Sequence, residues 1–358
     1  VDTFTTSDGA ANLGDHLAEE LHMRGWNQTD AASVLGWSVQ SLSDVLKGRR
    51  RIDVRDALDL SAALGGTAEA WLQLQTRDEL RALRAEPSNL ARLEGIQTRS
   101  ELESVIPVRE LVRRGVLPAG DIDQQKRAAL RLLEISELRD LPRYPLANRR
   151  DDRNEPISRK QRAWIACARR SARQVAIGDF DIGALEVLGG SLGTTVLTPE
   201  HVRSLPERFA AVGVPLVHVE PFAGGRIEGM CSWLGDSPMI ALSGRGGRFD
   251  RVLFTLAHEA AHIVLGHLHS DEICIQAGEE SSDHDEQQAD ALAARWLLPG
   301  EFDARGFYTA QRVAGMARTA GVSEAIVIGR LQKLGLIPWN SILNRRIPSV
   351  KEELSTWN

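Results

Sequence analysis

The stretch His258-Glu259-Ala260-Ala261-His262 constrains this 358-residue chain more than any other. On an α-helix, residues four apart share a face, so the two imidazoles project together. Glu259, beside the first of them, points into the same space. The flanks ask for a helix: Phe254, Leu256 and Ala257 precede the pair, Ile263, Val264 and Leu265 follow, and Gly266 supplies a stop. Two neutral imidazoles on one face can hold a metal ion, and the adjacent carboxylate can take a proton from water that the metal acidifies. The plainer reading is a buried helix with two hydrogen-bonded histidines, and a third ligand separates the two.

Downstream, residues 283–299 carry apolar side chains at Ala289, Leu292, Ala293, Trp296 and Leu297, which is helical spacing. Glu286 lies one turn before Asp290 on the same face of this second helix. Glu286 would complete a shell of His258, His262 and Glu286 with the fourth position left for water. Asp290 would accept a hydrogen bond from the free nitrogen of a ligand imidazole and fix its tautomer. Two alternatives stay open: Glu286 belongs to a solvated acidic run, Glu279 to Asp290, or His284 is the third ligand. A metzincin would carry Gly and His where Leu265 and Leu268 stand, so that arrangement is absent. His267 and His269 fall off the helical register of the first pair and read as helix-end or supporting groups.

At the other end, residues 27–36 read as a short helix closed by Gly36. Trp37 and Ser38 form a turn, and Ser38 caps a second helix from Val39 to Lys47. Two short helices with a Gly-containing turn make a helix-turn-helix. Leu42, Val45 and Leu46 point inward; Gln40 is left for base edges, Ser41 and Ser43 for bases or phosphate, and Gln28 for a backbone phosphate. Phosphate contact needs local positive charge. Lys47, Arg49, Arg50, Arg51 and Arg55 supply it, although residues 1–80 hold only seven Lys/Arg against thirteen Asp/Glu. The competing reading is a helix-turn-helix used for protein docking or dimerisation.

With these residues in hand, two resemblances emerge. HEAAH, then EQQAD and ALAARWLLP (286–299), is similar to the ImmA/IrrE metallopeptidases, a zincin-like family of the thermolysin (gluzincin) type. The likeness extends through LVHVE (216–220), MIALSGR (239–245), FDRVLFTLAHE (249–259) and GVSEAIVIGRLQKLGLIPW (321–339), so it covers roughly residues 205–340. It implies a zinc peptidase that cuts a regulatory partner protein, with His258, His262 and Glu286 as ligands and Glu259 as base. Members usually carry Leu-Gly where Ala260 and Ala261 stand. The N-terminal module resembles the XRE, lambda-repressor-like helix-turn-helix domains of antitoxin type, ending in Trp71-Leu72-Gln73-Leu74-Gln75. That implies binding to operator DNA as a homodimer.

The rest of the chain sets the frame. Residues 81–178 hold 21 basic and 13 acidic residues, residues 179–358 hold 15 and 23, and the whole chain has net charge −6. Helices are expected at 80–93, 100–114, 124–138 and 160–176, and residues 141–156, polar, charged and flanked by Pro, read as a linker. The basic helix 159–173 reads as a solvated or acid-docking face, with nucleic-acid contact the competing reading. Strands are expected at 214–219, 227–233 and 238–243, the last two around Gly235-Asp236. Met239 to Ser243 is the expected edge strand for a peptide substrate, and Tyr308 a candidate for the oxyanion. Residues 325–336 have a helix-turn-helix flavour and are expected to pack behind the site.

The expected fold is therefore mainly α with an α+β part. Residues 1–80 form an all-α helix-turn-helix domain, 81–155 a helical basic connector, and 156–358 an α+β peptidase domain. No apolar run approaches a membrane span. Three scattered cysteines, Cys167, Cys231 and Cys274, suggest reduced thiols and a cytoplasmic setting. The combined expectation is a DNA-binding regulator with a peptidase domain that holds Zn2+, Mn2+ being the alternative. It would act in bacterial transcriptional control, a stress response, or a mobile-element or toxin–antitoxin module. The alternative is a non-enzymatic repressor or antitoxin whose peptidase fold grips a partner toxin.

Overall fold

The computed structural model describes residues 12–141, 157–268, 273–276, 284–299 and 307–357. The chain divides into two compact units between Gln97 and Thr98. Most of the expected linker, together with His269 and the acidic run before His284, lies outside the described residues.

The first unit is built on five helices: α1 (Leu13–Met23), α2 (Gln28–Leu35), α3 (Val39–Leu46), α4 (Val54–Leu64) and α5 (Ala68–Ala85). Each starts on a capping side chain, Asn12, Asn27, Ser38, Asp53 or Thr67, that accepts a first-turn N–H. Gly36 ends α2 in the left-handed region at φ 67°, where a side chain would be strained. That turn sends α3 off at an angle and lets Leu42 and Val45 bury with Leu17, Leu60 and Trp71.

Proline marks where the expected helices divide. The stretch 80–93 breaks at Glu86, which is extended (ψ 121°) ahead of Pro87, and Pro87 opens α6 (Pro87–Val105). Pro107 separates α6 from α7 (Val108–Arg113). Then come α8 (Ile122–Leu133), α9 (Arg159–Ala172), α10 (Ile182–Thr195), α11 (Pro199–Val202) and α12 (Leu205–Ala211).

Three strands follow, β1 (Leu216–His218), β2 (Gly229–Leu234) and β3 (Ser237–Leu242), then α13 (Phe249–Val264), β4 (Ile273–Gln276), α14 (His284–Leu297), α15 (Ala310–Ala320), α16 (Glu324–Lys333) and α17 (Lys351–Leu354). The sheet order is β1-β3-β2-β4, with β1 parallel to β3 and the other pairs antiparallel. β2 and β3 form the expected hairpin around Gly235, at φ 68°. β3 is not an edge: β1 and β2 occupy both its sides, so its backbone groups are spent within the sheet. Among the described strands the edges are β1 and β4, the latter a four-residue strand too short to show a period of its own in the sequence.

Alternation places the two sheet faces in different cores. Leu216, Cys231, Ile240 and Leu242 pack with α10, α13, α14 and α16. Val217, Met230, Met239 and Ala241 pack with Leu102, Leu111, Leu132 and the apolar side of α9. Residues 102–138, expected as part of a separate connector, therefore help cover the sheet. Their basic neighbours act as tethers: Arg114 donates to Glu220 O (2.7 Å) and Pro221 O (3.0 Å), Arg162 to Val105 O (2.9 Å) and Arg169 to Trp233 O (3.0 Å). The basic side of α9 is thus bound in part to backbone carbonyls, which the sequence readings did not anticipate. No helix among the described residues is long and apolar enough to cross a membrane.

Candidate metal centre

Residues of α13 that the sequence sets on one face are almost wholly buried: His258 and His262 are 1% exposed and Glu259 is 0%. Helix α14 lies against α13, and α10 lies against both. Gly193 permits this, because a Cβ there would sit 2.2 Å from Leu297 O. The close packing carries the N-terminal turn of α14, with Glu286, over the two imidazoles.

The Nε2 atoms of His258 and His262 are 3.0 Å apart. Glu286 brings Oε2 to 3.3 Å from His258 Nε2 and Oε1 to 3.2 Å from His262 Nε2. These separations match the edge of a tetrahedron with metal–ligand bonds of about 2.0–2.1 Å, which is about 3.3 Å. Among the described residues, His258, His262 and Glu286 are the group of side chains placed to share a metal ion. His284 turns elsewhere: its Nε2 is 2.7 Å from Gln288 Nε2.

The three groups shift one another's proton affinities. Burial disfavours charge on His258, yet the Asp290 and Glu286 carboxylates outweigh it and raise the imidazole to about 9. Burial likewise opposes a charged His262, but Cys274 and Glu286 raise it to about 10. Glu286 is partly buried, which would raise it, but its bonds to His258 and His262 hold it well below the usual carboxylate range. Two ring nitrogens and one carboxylate converging at these distances are a donor set that suits a divalent ion.

Groups behind the ligands fix the imidazoles. Asp290 Oδ1 is 2.9 Å from His258 Nδ1. His262 Nδ1 is 3.0 Å from His267 Nδ1, and His267 Nε2 is 3.1 Å from Gln288 Oε1. If His262 commits Nε2 to a cation, its Nδ1–H donates to His267, His267 Nε2–H donates to Gln288, and the Gln288 amide donates to His284. Lys333 on α16 stands 3.8 Å from Asp290 Oδ2. The sequence pointed to Asp290 and to a supporting role for His267. Gln288 and Lys333 were missed, because the pairing depends on how α14 and α16 pack.

Glu259 is placed apart from that triad. Among the described residues neither of its carboxylate oxygens has a hydrogen-bond partner. Burial raises it to about 7. Gly229 of β2 makes the room: a Cβ there would lie 2.9 Å from Glu259 Oε1 and 2.5 Å from Thr255 Cγ2. Tyr308 packs against the core of this unit, with Arg312 stacked 4.9 Å over its ring.

In the first unit, Gln28, Ser38, Gln40, Lys47 and Arg49 are exposed, and Ser41 and Ser43 are half-buried. Ser38 Oγ is engaged as the cap of α3, accepting from Ser41 N at 3.0 Å. Gln40 Nε2 donates to Asp44 Oδ2 at 3.0 Å, within reach of the open surface. Arg50 is held differently from expectation. Its guanidinium bonds both oxygens of the buried Asp56 (3.0 and 2.8 Å) and lies 5.3 Å over the Trp37 ring. That side chain locks the turn; Lys47, Arg49 and Arg55 are exposed beside α3, and the exposed Arg51 pairs with Glu79 at 2.6 Å.

Comparison of the whole chain with curated proteins and with solved structures gives no match. Two family models match parts of it: one described as helix-turn-helix over residues 17–72, and one described as IrrE N-terminal-like domain over residues 215–332. The first spans α2 and α3 with their supporting helices, and the second spans the sheet, both histidines, Glu286 and α16. The chain therefore carries an XRE-type helix-turn-helix domain followed by an IrrE N-terminal-like, ImmA/IrrE-type domain.

Proposed function

We propose that this chain is a DNA-binding regulator whose C-terminal domain is a zinc endopeptidase acting on a regulatory partner protein. The observation that carries this reading is the separation of roles in the centre. His258, His262 and Glu286 converge on one point, while Glu259 stands beside them with a buried carboxylate that is not one of that group and has the Cys231 thiol as a neighbour. A metal site that served only structure would have no use for such a group.

His258, His262 and Glu286 would hold the ion; when bound, it would supply Lewis acidity toward a peptide carbonyl and toward water. Glu259, with its proton affinity raised to about 7, is suited to take a proton from the attacking water and return it to the departing amine. Asp290 and His267 hold the imidazoles in the tautomers that leave Nε2 free for the ion. An extended substrate would pair along β4, whose one partner among the described strands is β2. In the first unit, α3 would enter the major groove, with Gln40 at base edges and Lys47 and Arg49 on phosphates.

The test uses the purified full chain, loaded with zinc, and the proteins encoded next to it. Cleavage of one of them by the wild type, and none by the chelated protein or by Glu259→Gln, is the expected result. Equal cleavage by Glu259→Gln would overturn the assignment of the base. No cleavage by any form, with the partner bound by all, would favour a binding protein.

A further inference from the structure

Cys231 and Cys274 stand directly opposite one another on β2 and β4. Both are free and buried, at 0% and 1% exposure. Facing residues on antiparallel strands have Cα atoms about 4.5 or 5.5 Å apart, depending on the pair type. Both values fall in the range of about 4.4–6.8 Å that a disulfide bridges without backbone movement. The register alone therefore satisfies the main geometric demand for a bond between these two sulfurs. Cys231 also lies against Glu259, and Cys274 against His262.

We propose that Cys231 and Cys274 are a redox-active dithiol that closes to an intramolecular disulfide when a peroxide is present. One sulfur attacks the peroxide oxygen, leaving a sulfenic acid and releasing one water. The second thiol then attacks that sulfur and expels a second water. Two thiols and hydrogen peroxide become one disulfide and two waters. Access comes through β4: it is four residues long and, among the described strands, pairs with β2 alone, so its opening requires few hydrogen bonds to break. Closing the bond ties that edge strand to β2 and removes two S–H groups from the space behind Glu259 and His262. The bond fastens the strand along which a substrate would pair, so the site becomes sensitive to oxidant. The dithiol itself stands whether or not the domain cuts protein.

Cys167 supplies an internal control. It lies on α9 in the other core, and burial pushes its thiol up to about 11. The full chain is reduced, treated with a few equivalents of hydrogen peroxide, alkylated in denaturant and mapped by peptide mass. The expected result is joint loss of label at Cys231 and Cys274, a linked peptide pair two hydrogens lighter, Cys167 still labelled, and full recovery with dithiothreitol. Cys274→Ser should leave no linked pair within the chain, and Cys231→Ser should do the same. Retention of label at both sites, separate conversion to sulfinic acids, or a link that involves Cys167 or a second chain would overturn the proposal. The wild-type map decides the matter even if a serine variant folds poorly.

Discussion

Asp290 Oδ1 lies 2.9 Å from His258 Nδ1, while the other nitrogen of that ring faces His262 and Glu286. A carboxylate on one ring nitrogen fixes the tautomer and makes the other nitrogen a better donor to a cation. Asp290→Asn keeps the bond but not the charge. Zinc affinity, read by competition with a chromogenic chelator, should fall about 10–100-fold with stoichiometry kept at one. Unchanged affinity would show that Asp290 serves folding alone.

The third ligand is settled by metal content. Glu286→Ala should lose tightly held zinc, because it leaves two imidazoles and no anionic ligand. His284→Ala should retain it, since His284 bonds Gln288 rather than the triad. Elemental analysis of the dialysed variants checks this, and loss in the His284 variant alone would reverse the assignment.

Glu259 makes the metal-free protein sensitive to pH in a definite direction. Its folded value, about 7, is above the ordinary carboxylate value, so the folded state keeps its proton longer than the unfolded state. Between about pH 4.5 and 7 the unfolded chain binds fewer protons, and stability falls as pH rises through that window. Glu259→Gln removes the effect. In chelator, its unfolding free energy should exceed that of wild type by up to about 3 kcal/mol at pH 8 and converge with it below about pH 4.5. Parallel curves across that range would contradict the burial argument.

In the first unit, Arg50 and Arg49 should behave differently. Arg50→Ala takes the guanidinium from the buried Asp56 carboxylate, which keeps only its bond from Asp53 N (2.9 Å) among those described, and the half-exposed pair makes the expected stability loss about 1–3 kcal/mol. Arg49→Ala should leave stability alone and weaken binding to all DNA sequences alike, with the salt slope reduced by about one. Gln40→Ala should cost about 1–3 kcal/mol of discrimination at one base pair. Site selection with the intact protein that enriches no sequence would favour a docking module instead.

Much of this site was legible because its spacing is local. Residues 258, 259 and 262 lie within two turns of one helix, and Glu286 and Asp290 share a face of the next; that the two faces meet depends on how α14 packs against α13. The β2–β3 hairpin was equally plain from the alternation around Gly235-Asp236. Features that depend on distant packing were not. β4 has four residues, too few to show alternation, so both its edge position and the facing of Cys231 with Cys274 were hidden. Arg50 looked like one of a row of free cations, since nothing in the sequence says that Asp56 is buried six residues later. The helices over 102–138 looked like a connector because their charge is conspicuous, whereas their apolar side has a partner only once the sheet exists.

If Glu259 is the base of a peptidase, as proposed, its carboxylate is required for every cut the chain makes. Wild type and Glu259→Gln, expressed at equal abundance in the same cells, should be compared by the N-termini of all cellular proteins. One or a few new N-termini, present with wild type and absent with Glu259→Gln, are the predicted result. Identical N-termini in both, with the same regulation of target promoters, would contradict it and leave a metal-bearing binding protein.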